Sequence, residues 1–425
     1  MSKTVSQEPS EDLDGFIQRA RSFIRGNLTN VGATTLTLRN LRTDEQELAD
    51  VARDRQIQRL LFDGGLAGIC VPREYGGQGL TAEYQRALNL ELAGYEFAMR
   101  IQVPTMTPVL AVLLEFGTEE QKQQHVPAIL KGEEIWSQLL SEPSGGSDVA
   151  GARTTAVRDG DEWVLNGEKV WTTNAWWSDW GLCLARTNWD VPKHRGLSVF
   201  IFPIHQPGVD MHRIEMLNGN REFCQEFITD LRVPDRDRIG EVDKGWAVGT
   251  RWMSHERMLY SSPYVTVPEG TVRGGAGPSM FAVARDAGRI NDPVARDLVG
   301  EARMLELVAE ALQHRLAEGI GTGRLPDQAG AVGRLFGGMS SIRKTTIEFE
   351  LAGAAAAAWL DGDGAMIHAG NDLLMRQVAC TGGGTTEMAR NVISERVLGM
   401  PRERSYDRDV AFREVPKNAS TRADP

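Results

Sequence analysis

The stretch Glu162-Trp-Val-Leu-Asn-Gly-Glu-Lys-Val-Trp171 decides how the rest of the chain is read. Apolar and polar residues alternate along it, the period of a strand with one buried face. Asn166-Gly167 sits at its middle, and Asn-Gly is the pair that best tolerates the left-handed backbone of a two-residue hairpin turn. The stretch therefore predicts two short strands joined at Asn166-Gly167. Residues 197–204 and 222–233 carry the same strand signal, so the period of two holds from about 136 to 240. Six of the ten tryptophans fall between positions 136 and 180, which predicts that most of them fill a small β core.

On either side the period is helical. Leu13, Phe16, Ile17, Ala20 and Ile24 share one helix face. Thr43-Asp-Glu-Gln46 and Thr118-Glu-Glu-Gln121 are capping boxes, in which the Thr side chain and the Gln side chain satisfy each other's backbone N–H groups. Gly64 and Lys131-Gly132 end the helices that these boxes open. Residues 71–80 read as a loop by their Pro and Gly content. The helical period returns after Lys244 and holds to about 399, with Met304, Leu305, Val308, Ala311 and Leu312 in one stripe and Gly399 and Pro401 as the stop. Residues 262–279, rich in Gly, Pro and Ser, predict a surface excursion, and the charged tail from Arg402 an extended segment. The order predicts an α+β chain. It has an N-terminal helical domain (1–135), a small central β-barrel or sandwich domain (136–240), a C-terminal helical bundle (241–401) and a tail (402–425).

Composition narrows the function. The 425 residues are 41% hydrophobic and 25% charged, with a net charge of −11, which argues against a nucleic-acid-binding body. No apolar run approaches the roughly 18 residues of a membrane span. The polar, acidic first fifteen residues resemble neither a secretory signal nor an Arg-rich transit peptide. The four cysteines, Cys70, Cys183, Cys224 and Cys380, are scattered in apolar settings and read as reduced core thiols. A bacterial cytoplasmic location is expected.

Four motifs stand in order along the chain. They are Gly65-Leu-Ala-Gly-Ile-Cys-Val-Pro-Arg-Glu-Tyr-Gly-Gly-Gln-Gly79, Leu140-Ser-Glu-Pro-Ser-Gly-Gly-Ser-Asp148, Asn166-Gly-Glu-Lys-Val-Trp-Thr-Thr-Asn174, and Thr381-Gly-Gly-Gly-Thr-Thr-Glu387. Together they resemble the acyl-CoA dehydrogenase family over nearly the whole length. The resemblance implies an FAD cofactor, an acyl-CoA substrate, an electron-transfer flavoprotein as electron acceptor, and a homotetramer or homodimer. It implies that Leu140 and Ser141 meet the flavin edge, that Trp171 lies against the ring, and that Thr173 bonds near its N5. Trp171 and Thr173 also read as ordinary alternating strand residues. Gln138 stands where many members carry an aromatic residue. Arg289 corresponds to an arginine that holds the FAD pyrophosphate from a neighbouring subunit, although Arg289-Ile-Asn-Asp-Pro293 lacks the family's Phe-Gly. Gly383, Gly384 and Thr385 precede a helix beginning near Thr386, where backbone N–H groups can approach a phosphate or flavin. Ser147 matches a residue that bonds the carrier part of the substrate, and Arg257 one that orients the substrate.

The reaction implied is removal of an α proton and a β hydride from the thioester, giving the 2-enoyl-CoA. Many members supply the base from a Tyr-Glu-Gly-Thr motif; here Gly383 occupies that position. The isovaleryl- and long-chain-type members place it on an earlier helix, and Glu256 in Trp252-Met-Ser-His-Glu-Arg257 stands there. At 100° per residue, Trp252, Met253, Glu256, Leu259 and Tyr260 share one face, so Glu256 is a carboxylate inside an apolar stripe. His255 falls off that stripe and is expected at the surface. Glu387 reads as a first-turn acid beside the helix dipole, and Glu142 as structural. Two alternatives stay open: a non-catalytic subunit of a mixed tetramer, suggested by Gly383 and the altered Arg289 motif, and a flavin-dependent monooxygenase or oxidase on the same fold.

Overall fold

A computed structural model describes residues 11–32, 35–36, 42–257, 262–273, 279–358, 364–405 and 407–415. Amphipathic period and capping chemistry build the N-terminal helices. Helix α1 (Leu13–Asn27) buries Phe16, Ala20 and Ile24, and Leu13 and Ile17 pack at the margin. A two-residue strand β1 (Thr35–Leu36) precedes α2 (Asp44–Asp63), whose capping box is complete: Gln46 N–H donates to the Thr43 hydroxyl at 3.3 Å and Thr43 N–H to the Gln46 side chain at 3.1 Å. Then come α3 (Ala82–Glu91), the single turn α4 (Met99–Ile101), a π-helical stretch Gln102–Val109, α5 (Leu110–Phe116) and α6 (Glu119–Leu130). The second box, Thr118 with Gln121, opens α6, and Gly132 follows it in the left-handed region at φ 73°.

Eight strands form the central sheet: β2 (Trp136–Leu139), β3 (Thr155–Asp159), β4 (Glu162–Thr173), β5 (Trp180–Arg186), β6 (Leu197–Pro203), β7 (Val209–Ile214), β8 (Phe223–Pro234) and β9 (Arg238–Ile239). The pairing path is β7-β8-β4-β3-β5-β6-β9. β2 runs parallel to residues 180–183 of β5, and β3 takes over the same edge at Arg186. Both faces of the inner strands are buried. Leu182, Leu184, Leu197, Val199 and Ile201 join the core of the N-terminal helices, while Cys183, Ala185, Phe200 and Phe202 form a second core with Trp163, Ile228 and Val233. The tryptophans divide accordingly: Trp136 and Trp177 sit in the first core and Trp163 in the second, whereas Trp171 is 53% exposed. All four cysteines are unbridged.

The hairpin is not where Asn-Gly predicted it. β4 runs unbroken through Asn166-Gly167, and the β3–β4 turn lies at Gly160, with φ 67°. Asn166 and Gly167 instead mark a register shift against β8. The Asn166 side chain exchanges hydrogen bonds with Asp230, at 3.1 Å to its carboxylate and 2.8 Å from its N–H. Gly167 is needed because a Cβ there would lie 2.6 Å from the Cα of Thr154.

Helix α7 (Gly245–Arg257) follows the sheet, and β10 (Val272–Arg273) pairs in parallel with β1. The expected surface excursion after α7 is corrected for residues 262–268. Val265, Thr266 and Val267 are buried, and Thr266 N–H donates to the Gln102 side chain at 2.9 Å. The described elements up to residue 273, except Met216–Gly219, cluster as one unit, which the described residues between Ser405 and Val415 also join. The expected extended tail is therefore corrected too: where described, Ser405–Val415 is seated on the sheet domain.

A second unit comprises Met216–Gly219 and Gly275–Arg404. It holds α8 (Met280–Asp286), α9 (Pro293–Gly321), α10 (Gly330–Ala352), α11 (Ala354–Ala357), α12 (Gly364–Met375) and α13 (Thr386–Val392). Its core is small-residue packing around Ala295, Ala302, Ile347, Leu351, Ala356 and Ala369. The stripe expected on α9 does not face this core: Met304 and Val308 are exposed.

Candidate active site

β2 delivers the chain to Leu140 and Ser141, and β4 pins both. The Lys169 ammonium donates to Leu140 O at 3.2 Å, and Val170 N–H donates to Ser141 O at 3.0 Å. The next residue, Trp171, is the extra residue of a second register shift against β8, between Val170 and Thr172. Its backbone is left-handed at φ 64°, a conformation that bulky residues hold only where their surroundings impose it. The bulge turns the ring outward, edge-on to Phe223 at 5.7 Å. Trp171 is thus not an ordinary alternating residue. Thr173 is half-buried opposite Phe223. The structure brings these four residues together where β2 leaves the sheet beside β4.

Beneath the bulge Thr172 is buried, and its hydroxyl donates to Glu226 Oε2 at 2.7 Å. Burial pushes the Glu226 carboxyl up to about 8, against the opposing pull of Thr172 and Lys169. Its other oxygen is buried without a hydrogen-bond partner.

The turn after Ser141 is held from inside. Glu142 accepts Arg153 N–H at 2.6 Å, Thr154 N–H at 2.9 Å and the Lys169 ammonium at 2.8 Å. Burial works against its charge, but Lys169 and the two N–H groups outweigh burial and hold the carboxyl below its ordinary value. Glu142 is structural, as read. Arg186, fully buried, donates to Ala152 O at 2.9 Å, Ala150 O at 2.6 Å and Lys193 O at 3.0 Å. Ser147 is exposed at the rim of this turn. Sequence reading missed Lys169 and Arg186; a lone cation in a strand carries no signal of what it will bond.

α7 brings the proposed base to the same unit. Trp252 is fully buried, and its indole N–H donates to the Gln138 side-chain carbonyl in β2. An indole can only donate, so the contact fixes which end of the Gln138 amide faces it. Glu256, one turn on, is half-buried. Arg257 ends the helix, but its side chain lies outside the described residues, as do Leu259 and Tyr260. His255 is not at the surface: it is buried and bonds Glu115 at 2.7 Å, which also receives Arg251 at 2.6 and 2.8 Å. The apolar stripe was drawn too narrow to include the α5 side of the helix.

In the second unit Gly383 and Gly384 are left-handed, at φ 69° and 94°, and Thr385 caps α13 by accepting Met388 N–H at 3.1 Å. Space around Gly383 is open. Glu387 is a first-turn acid paired with Arg390 at 3.3 Å. Arg289 is engaged within its own unit, with Asp292 at 2.8 and 3.1 Å and with Glu350 O at 2.6 Å. Among the described residues no cluster could hold a metal ion, and no helix is long and apolar enough to cross a membrane.

A helical domain, a central sheet and the helix α7 that follows it form the first unit. Residues 12–133 match the model of the acyl-CoA dehydrogenase N-terminal domain and residues 137–230 that of its middle domain. The chain is 32% identical to acyl-CoA dehydrogenase FadE26 of Mycobacterium tuberculosis over 80% of its own length and 86% of the relative's. It is 29% identical to IpdE1 of the same organism over 92% and 99%. To FadE34 it is 32% identical over 84% of itself but spans only 47% of that protein. Among solved structures, "Tcur3481-Tcur3483 steroid ACAD" superposes with a TM-score of 0.70 at 26% identity, over 93% of this chain and 100% of that one. A chain of the ChsE4-ChsE5 complex of M. tuberculosis gives 0.67 at 26%, over 94% and 100%. The chain belongs to the acyl-CoA dehydrogenase family of oxidoreductases, and acyl-CoA dehydrogenation is its general chemistry.

Proposed function

We propose that the chain binds FAD and converts an acyl-CoA to its 2-enoyl-CoA, with Glu256 as the base and an electron-transfer flavoprotein as electron acceptor, in the cytoplasm. The observation that carries this reading is the tie between Trp252 and Gln138. It joins the helix bearing Glu256 to β2, the strand that leads into Leu140 and Ser141, so the residues assigned as base and flavin wall are linked. The half-exposed Trp171, held outward by its bulge, and the pinned 140–141 backbone fit a flat ring. FAD, when bound, supplies a hydride acceptor. Glu256 takes the α proton, Ser147 bonds the carrier portion of the substrate, Arg257 orients it, and Thr173 donates near the ring. Arg289, Gly383, Gly384 and Thr385 are assigned to the adenine and pyrophosphate end; for Arg289 this requires exchange of its present partners. An acyl group bearing rings is favoured by the steroid named for one relative.

Glu256→Gln tests the reading. The variant is expected to fold and keep its flavin, while acyl-CoA-dependent loss of flavin absorbance falls by about 10²–10⁴-fold or more. Reduction at the parental rate would move the base elsewhere, with Glu387 next in line. A second reading, a subunit of a mixed tetramer, is favoured by Gly383 and by two relatives whose names pair two chains. A colourless chain that takes up FAD only with a second gene product would select it.

A further inference from the structure

We infer that Ser405–Val415 is a strap that positions the turn carrying Ser147, acting through Lys193. The inference rests on the reading that Ser147 holds the acyl-CoA carrier. The chain leaves the first unit at Gly274 and rejoins it at Ser405, where the segment is clipped onto residues 186–195. Phe412 N–H donates to Val191 O at 2.9 Å and Arg413 N–H to Trp189 O at 3.0 Å, and Arg413 pairs with Asp190. The Phe412 ring is only 8% exposed: the Arg186 guanidinium lies 3.8 Å from its centre and Trp189 packs at 5.3 Å. One guanidinium thus has the tail on its face, while its edges hold Ala150 O and Ala152 O, the backbone just past Ser147, and Lys193 O of the loop beneath the tail. A second link runs beside it. The Lys193 ammonium bridges Asp407 of the tail at 2.6 Å and Asp148, the neighbour of Ser147, at 2.9 Å. Lys193 is 13% exposed and Asp407 28%, so the arm to the tail is sheltered, while the arm to Asp148 opens to solvent.

Two of the side chains the strap touches, Arg186 and Lys193, reach on to the turn that carries Ser147. Loss of the strap is expected to loosen Ser147 without disturbing the flavin wall at Trp171 or the base on α7. Lys193 is a positioning residue, and its signature is a rise in KM with kcat and flavin content kept. Asp407→Asn and Phe412→Ala should raise KM for the acyl-CoA that reduces the flavin fastest by about 3- to 10-fold, the scale of one lost hydrogen bond. Asp407→Glu should restore it. In the parent enzyme, saturation with that acyl-CoA should slow tryptic cutting at Arg404, Arg408 and Arg413. Ser147→Ala is measured beside these variants. If Ser147→Ala keeps the parental KM, the site reading falls. If it raises KM while Asp407→Asn and Phe412→Ala keep the parental value, the strap alone falls. Loss of melting temperature in the strap variants without a change in KM would likewise reduce the tail to plain structural support and overturn the proposal.

Discussion

Glu226 shows what a single buried carboxyl does to the whole stability curve. Its folded-state value of about 8 lies above the ordinary 4.5, so between these limits the folded state keeps a proton that the unfolded chain releases. Stability is therefore lost as pH rises through that window, the opposite of a salt-bridged acid. Glu226→Gln keeps an acceptor for Thr172 and removes the titration. Parent and variant are expected to unfold alike near pH 5, with the variant the more stable by roughly 1–3 kcal/mol at pH 8; urea titrations at the two pH values measure the gap. A gap that does not grow with pH would place a partner on the carboxyl. At this scale the sequence was only partly legible. Glu142 was read as structural, and it is bonded to Arg153 N–H, Thr154 N–H and Lys169. His255 was misplaced, because a wheel drawn for one helix contains nothing of Glu115 on another. Glu226 had no local signal, since its burial is created by β4 and by the sheet's second core.

Elements were legible where local chemistry closes on itself. The boxes Thr43–Gln46 and Thr118–Gln121 lie within four residues, and both formed. Asn166-Gly167 failed for the converse reason: partners more than ten residues away, Asp230 and Thr154, decide its conformation. The two glycines of this hairpin separate the readings. Gly160→Ala forces a side chain into the left-handed region of an open turn, expected to cost about 1 kcal/mol. Gly167→Ala drives a Cβ into the Thr154 backbone, and the expected cost is about 1–3 kcal/mol or more. Urea midpoints that rank Gly160→Ala as the more damaging change would overturn the close approach of Gly167 to the Thr154 backbone as the tighter constraint. The bulge at Trp171 was likewise invisible as geometry, although the motif around it pointed to the right strand.

For the molecule as a whole, the order helices, sheet, helices was readable because the hydrophobic period changes twice. The exposed face of α9 extends that reading. Met304, Leu307 and Val308 are 43–50% exposed and adjacent on one face of a 29-residue helix, an apolar patch of the kind that association covers. Self-association into a dimer or tetramer is expected to cover it. Leu307→Asp with Val308→Asp should shift the sedimentation coefficient toward the single chain while the circular dichroism is unchanged; a parent that already sediments as one chain would contradict this. The return of the tail was not readable, since one aromatic residue among charges looks like a solvated end. That return has a consequence during synthesis. Asp407 lies 214 residues after Lys193, so a ribosome adding roughly 5–20 residues per second reaches it about 10–40 s after Lys193 is made. Throughout that interval the nascent sheet domain carries the Ser147 turn without its clasp. A chain released early, or nicked near 404, is expected to look folded and yellow yet grip acyl-CoA poorly, so the mass of the C-terminal peptide is the quality mark of a preparation.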